Sequence, residues 1–212
     1  MKLAICFHGQ HTTKEGVAVA KNHLMLDIET LDLNPTAAVL SIAATFFDPF
    51  TGQLGESFER QINLKSCIDL GLTVDPETIM WWMEQSKEAQ EAFRGNSKAE
   101  DLGAVLCAFS KWVNYELSFL KDRRGFSVWG NGKDFDCVIM ENAYRAAGLK
   151  SLTPWKFWET VDVRTLVALA HAAGCEDFKA NTPFEGTRHN ALDDVSHQIK
   201  YVVKYFNYMM GG

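Results

Sequence analysis

The chain has 212 residues, 47% hydrophobic and 23% charged, a balance that excludes a disordered tail and fits one compact domain with a sizeable core. Lys and Arg number 21 against 27 Asp and Glu, a net charge of −6, which argues against a broad basic coat but leaves room for carboxylates clustered around divalent metal. The longest apolar run, Ala104 to Phe109, spans six residues, far below the ~20 a membrane-crossing helix needs.

Residues 1–21 read as an N-terminal extension; the stretch from Leu3 to Phe7 is too short for the apolar core of a secretory signal, so a cytoplasmic protein is expected. The five cysteines (Cys6, Cys67, Cys107, Cys137, Cys175) are widely spaced and without a C-x-x-C pair. Reduced, mostly buried thiols are therefore expected. From residue 22 to 209 no repeat or low-complexity linker interrupts the pattern, and one domain is predicted.

Strands are predicted at 23–30 (HLMLDIET), 38–48 and 54–63, joined by short turns as an antiparallel meander. Asp75-Pro76 opens a helix through ETIMWWMEQ. Ser97 with Glu100 reads as a capping box for a second helix carrying Leu102, Val105, Leu106, Phe109, Trp112 and Val113 on one stripe. Strand FSVWG, a helix over 134–147, strand KFWETVD, a helix over 163–173 and a last helix from about 190 to 209 complete the chain. The predicted fold class is α/β: a mixed five-stranded sheet, meander first and β-α-β-α units after, flanked by helices.

Three motifs carry chemistry. Asp27 and Glu29 end the first strand and, two residues apart, project from one face. Neighbouring carboxylates repel unless a cation binds both, although a solvated strand end with coincidental acids also fits the dipeptide. Asn131 to Asp136, NGKDFD, lies past the C-terminal edge of a strand, where open α/β sheets place ligands; Asp136 there fits helix capping as well. Gly130 and Gly132 have the spacing of a dinucleotide loop, but Phe135 stands where its last glycine belongs. The third motif, RHNALDD, opens the last helix. On that helix Leu192, Val195, Ile199, Val202 and Phe206 form the apolar stripe, which predicts Asp193 solvated with His197, Lys200 and Lys204, and Asp194 facing a cleft beside His189.

In order and context, D-x-E, N-G-x-x-F-D and H-x-x-x-x-D resemble the motifs of the DEDDh 3′-to-5′ exonucleases, over residues 22–207. LMLDIETL, TIMWWMEQS, WGNGKDFD, DVRTL and HNALDDVSHQ are similar to the short bacterial and phage exonucleases described as exonuclease VIII-like or as exoribonucleases. The resemblance implies a ribonuclease H-like fold and two divalent ions, Mg²⁺ or Mn²⁺. By position it makes Asp27 the bridging ligand, Glu29 and Asp194 the completion of the water-activating site, Asp136 the holder of the second ion, and His189 the general base. It implies release of nucleoside 5′-monophosphates from the free 3′ end of single-stranded RNA or DNA, with activity falling as His189 protonates. Homodimerisation and a bacterial or phage-infected cytoplasm are the accompanying expectations. The alternatives are hydrolysis of very short RNA fragments, or a non-catalytic nucleic-acid-binding module on the same fold.

For substrate contacts the resemblance points to Thr30 through its backbone and Leu31 as an apolar wedge. Trp81 and Trp82, ~100° apart on their helix, offer one base-stacking platform, with core packing of both the competing reading. Lys133 and Arg188 are candidate phosphate partners; Arg164 reads as an ordinary surface charge beside a helix capped by Asp162. Trp112, Trp155 and Trp158 read as structural.

Overall fold

A computed structural model describes residues 21–120 and 122–211; the predicted extension lies outside them apart from Lys21. The central strand β1 (His23–Thr30) pairs antiparallel with β2 (Val39–Phe47), which pairs antiparallel with β3 (Leu54–Gln61). On its other side β1 runs parallel to β4 (Ser127–Gly130), and β4 to β5 (Thr160–Asp162), giving the order β3-β2-β1-β4-β5. This is the predicted mixed five-stranded sheet.

Helices follow in chain order: α1 (Leu64–Asp69), α2 (Pro76–Met83), α3 (Lys87–Gln90), α4 (Leu102–Leu117), α5 (Lys133–Ala146), α6 (Val163–Ala172) and α7 (Ala191–Met210). The alternation of β1 divides the core. Leu24, Leu26 and Ile28 pack with residues of α4 and α5, whereas Met25 packs with Val195, Ile199 and Val202 of α7. By the same period of two, Asp27 and Glu29 belong to the α7 side.

Two predicted boundaries move for identifiable reasons. The chain from Ser97 does not enter a helix at once: Asn96–Lys98 forms a 3₁₀ turn, and α4 begins only at Leu102. The Glu100 carbonyl is held by the Asn63 N–H at 2.8 Å in a parallel bridge to Ile62, and an extended residue cannot also sit in the first helical turn. In KFWETVD only Thr160–Asp162 is strand, because Phe157–Glu159 is a 3₁₀ turn in which the Glu159 carboxylate accepts from the Lys156 N–H at 2.7 Å. That carboxylate also pairs with Arg123.

Trp158 corrects the structural reading of that residue. It is 68% exposed and packs edge-on against the still more exposed Phe157, whereas Trp155 is buried and Trp112 packs partly buried on the core. Helix α1 had no periodic signal in its six residues; Asn63, whose side chain accepts from the Lys65 N–H, starts it. Cys67, Cys107, Cys137 and Cys175 are free thiols, with Cys67 and Cys137 buried.

Candidate active site

Four elements meet at the C-terminal edge of the parallel strands. β1 delivers Asp27 and Glu29 side by side, the loop after β4 delivers Asp136 in the first turn of α5, and α7 delivers Asp194 in its own first turn. Gly130 makes the approach of Asp136 possible: a Cβ on Gly130 would stand 2.9 Å from an Asp136 carboxylate oxygen and 3.1 Å from the Lys133 Cα. Gly132, at φ +106, turns the chain into α5 in a conformation that disfavours any side chain.

The acids perturb one another. Burial first, then the charges of Asp136, Glu29 and Asp194, hold Asp27 well above the usual carboxylate range. Burial, then Asp194 and Asp136, push Glu29 to about 9. Asp136 rises to about 7 through burial, against the backbone N–H of Ile28, the charge of Arg164 and the backbone N–H of Asn131. Asp194 is also raised by burial, although the His189 N–H donates to its Oδ2 at 2.8 Å. Among the described residues no Lys or Arg forms a salt bridge to any of the four. Converging carboxylates without a basic partner are the donor set a hard divalent cation requires.

His189 is the one described non-glycine residue with positive φ, at 65°. A β-carbon in that region is disfavoured, and here two contacts fix it: the backbone bond to Asp194 and the Trp81 ring, whose centroid lies 4.8 Å away edge-to-face. The result brings ligand atoms of Glu29, His189 and Asp194 within 4.8 Å of one another. The strained backbone thus aims an imidazole at two of the acids.

Beside the acids lies a pocket of about 330 Å³ whose lining includes Glu29, Thr30, Leu33, Trp81 and Phe135, together with Asp75, Glu77 and Thr78. Thr30 lines it. Leu31 does not: its side chain is 1% exposed and packs with Leu40, Trp82 and Ala89. Leu33, 73% exposed, is the apolar side chain that reaches the pocket. The two tryptophans divide, Trp82 being buried with its indole N–H on the Thr30 carbonyl at 2.9 Å and Trp81 half-open against the pocket.

Lys133 pairs with Asp134 at 2.8 Å, and the Arg188 guanidinium stacks on Phe184 at 4.6 Å. Arg164 is exposed, as expected of a surface charge, but it lies beside the site. Its guanidinium rests on Gly132, about 3.2 Å from where a Cβ would stand, and its charge reaches Asp136. Asp162 does cap α6, accepting from the Thr165 N–H at 2.8 Å. Asp193 is half-buried, not solvated, because its carboxylate folds back to accept from the Thr187 N–H at 2.8 Å. Leu33, Phe135, Gln198 and Tyr201 were not foreseen; Gln198 sits one turn beyond Asp194 on α7, a spacing that could have flagged it.

A mixed sheet in this order, with four acids and a histidine gathered at the ends of its parallel strands, defines a 3′-to-5′ exonuclease of the DEDDh type. Residues 22–206 match the family described as 3′-5′ exoribonuclease Rv2179c-like domain, and the chain belongs to that family. It is similar to an exodeoxyribonuclease of Enterobacteria phage T4, 26% identical over 163 residues that cover 68% of this chain and 69% of the phage protein. Among solved structures it resembles the nuclease domain of 3′hExo, a DEDDh member bound to rAMP, with a TM-score of 0.54 and 14% identity over 86% of this chain and 90% of that one. It also resembles E. coli exonuclease I in complex with an oligonucleotide, with a TM-score of 0.54 and 16% identity over 89% of this chain and 42% of that one.

Proposed function

We propose that this exonuclease removes nucleoside 5′-monophosphates one at a time from the free 3′ end of single-stranded RNA or DNA, using divalent metal. The observation that carries the reading is the convergence of Asp27, Glu29, Asp136 and Asp194 with no Lys or Arg salt bridge to them among the described residues. Two ions, Mg²⁺ or Mn²⁺, would be held by these carboxylates and would supply a lowered water pKa and stabilisation of charge on the attacking and leaving oxygens. Glu29 and Asp194 would hold metal on the His189 side, and Asp27 and Asp136 would complete the donor set.

His189 accepts a proton from the attacking water at an imidazole nitrogen. The water oxygen bonds to phosphorus as the bond from phosphorus to the O3′ of the preceding nucleotide breaks, and a proton ends on that O3′. Leu33, Trp81 and Phe135 give the terminal base apolar and aromatic surfaces. Asp75 and Glu77 in the pocket lining repel phosphate, so the strand's backbone runs instead past the cations at the starts of α5, α6 and α7: Lys133, Arg164 and Arg188.

Both nucleic-acid types stay in the proposal. The family description names an exoribonuclease and the phage relative is an exodeoxyribonuclease, and a single contact to a 2′-hydroxyl separates the two. The test is metal-dependent release of mononucleotides from 3′-labelled RNA and DNA strands, beside strands blocked at the 3′ end. Release from the free ends alone supports the proposal; equal internal cleavage of blocked and free strands would overturn it.

A further inference from the structure

Gln198 has one job visible in the fold. It is 4% exposed on the inward face of α7, and its side-chain amide Nε2 donates to the Asp27 Oδ1 at 2.8 Å across 171 residues of sequence. Its own Oε1 is buried and accepts from nothing among the described residues. A glutamine kept in a core with half its amide unsatisfied is not there for stability, since an orphaned buried acceptor destabilises the fold.

Tyr201, one turn further along α7, is fully buried with its hydroxyl also unpartnered, and it lies near enough to Asp27 to feel its charge. Beneath the carboxylate that the site shares, α7 therefore places a polar underside of an amide and a phenol.

We propose that Gln198 is the positioning residue of the metal centre: by occupying Oδ1 from the protein side, it fixes the plane of the Asp27 carboxylate and leaves its remaining lone pairs facing the other three acids. This rests on the exonuclease reading above. The amide nitrogen faces Asp27 and Oε1 is left without a donor, the orientation that suits the ionised, metal-holding carboxylate, which accepts and cannot donate. An amide also leaves the carboxylate its full negative charge, where a lysine in that place would compete with the cation.

The test measures metal binding directly. Gln198→Met keeps the length and removes the donor; Gln198→Asn keeps the amide but cannot reach. Titration calorimetry with Mn²⁺ alone should show both variants binding about 10–100-fold more weakly than the wild type, with kcat reduced and KM for a 3′-ended strand little changed. On the wild-type protein, the Gln198 side-chain amide resonances should move in step with Mg²⁺ saturation. Variants that bind Mn²⁺ within twofold of the wild type, or amide resonances that stay fixed through the titration, would overturn the role of Gln198 while leaving the nuclease reading intact. A wild type that binds no Mn²⁺ would overturn both.

Discussion

Glu29→Gln should trade activity for stability. Glu29 is 9% exposed and held at about 9, against an ordinary value of 4.5, by burial and by Asp194 and Asp136. A carboxyl whose folded pKa lies above its unfolded one contributes its full stability below the unfolded value and loses it as pH rises through the folded value. At pH 7 without metal, that loss is up to about 3 kcal/mol. Glutamine is neutral at every pH and escapes it.

In chelator at pH 7, urea unfolding should find Glu29→Gln the more stable protein, with the gap closing toward pH 4 and widening toward pH 9. Metal reverses the order. A cation at 100 times its dissociation constant adds about 2.7 kcal/mol to the form that binds it, so Mn²⁺ should raise the wild type far more than the variant, while turnover of a 3′-labelled strand is lost in the variant. A Glu29→Gln protein no more stable than the wild type in chelator, with a gap indifferent to pH, would refute the claim that burial beside the other acids disfavours the Glu29 charge.

Trp82→Phe removes the indole donor to the Thr30 carbonyl inside the core; a loss of about 1–3 kcal/mol is expected in thermal unfolding, whereas Trp81→Ala should leave stability nearly unchanged and raise KM for the strand. His23, whose Nδ1 accepts from the Trp129 indole at 2.8 Å, is lowered to about 4 by burial, against the opposing charge of Asp48. Its contribution is present above pH 6.5 and lost as pH falls through 4, by up to about 3 kcal/mol. The stability difference between wild type and His23→Phe, followed across that range, should shrink, and a constant difference would count against it. Arg164→Ala should raise KM several-fold with Mn²⁺ affinity unchanged; an unaltered KM would leave its perch on Gly132 without a substrate role.

The acids were legible because each sits at an element boundary that sequence marks well: a strand end, a strand-to-helix turn, a helix start. Strand alternation alone placed Asp27 and Glu29 on one face, and the apolar stripe of the last helix separated Asp194 from Asp193. That stripe misjudged Asp193 itself, since the bond from Thr187 comes from a loop whose path no periodicity encodes. For a similar reason Leu33 lines the pocket where Leu31 was expected. The chain leaves β1 through a register shift after Glu29, so strand alternation stops predicting direction where the pocket begins. Gln198 and Arg164 gain meaning only from neighbours distant in sequence, Asp27 and Gly132, and local pattern carries no trace of such partners.

The distribution of the site along the chain has a consequence for how the protein comes into being. Asp27 and Glu29 are made early, whereas His189, Asp194 and Gln198 arrive with the last helix. A growing polypeptide that stops short of residue 189 carries three of the acids and nothing to complete them. On the site proposed above, such a fragment would lack both the general base and the fourth acid, and catalysis would wait until α7 packs against β1.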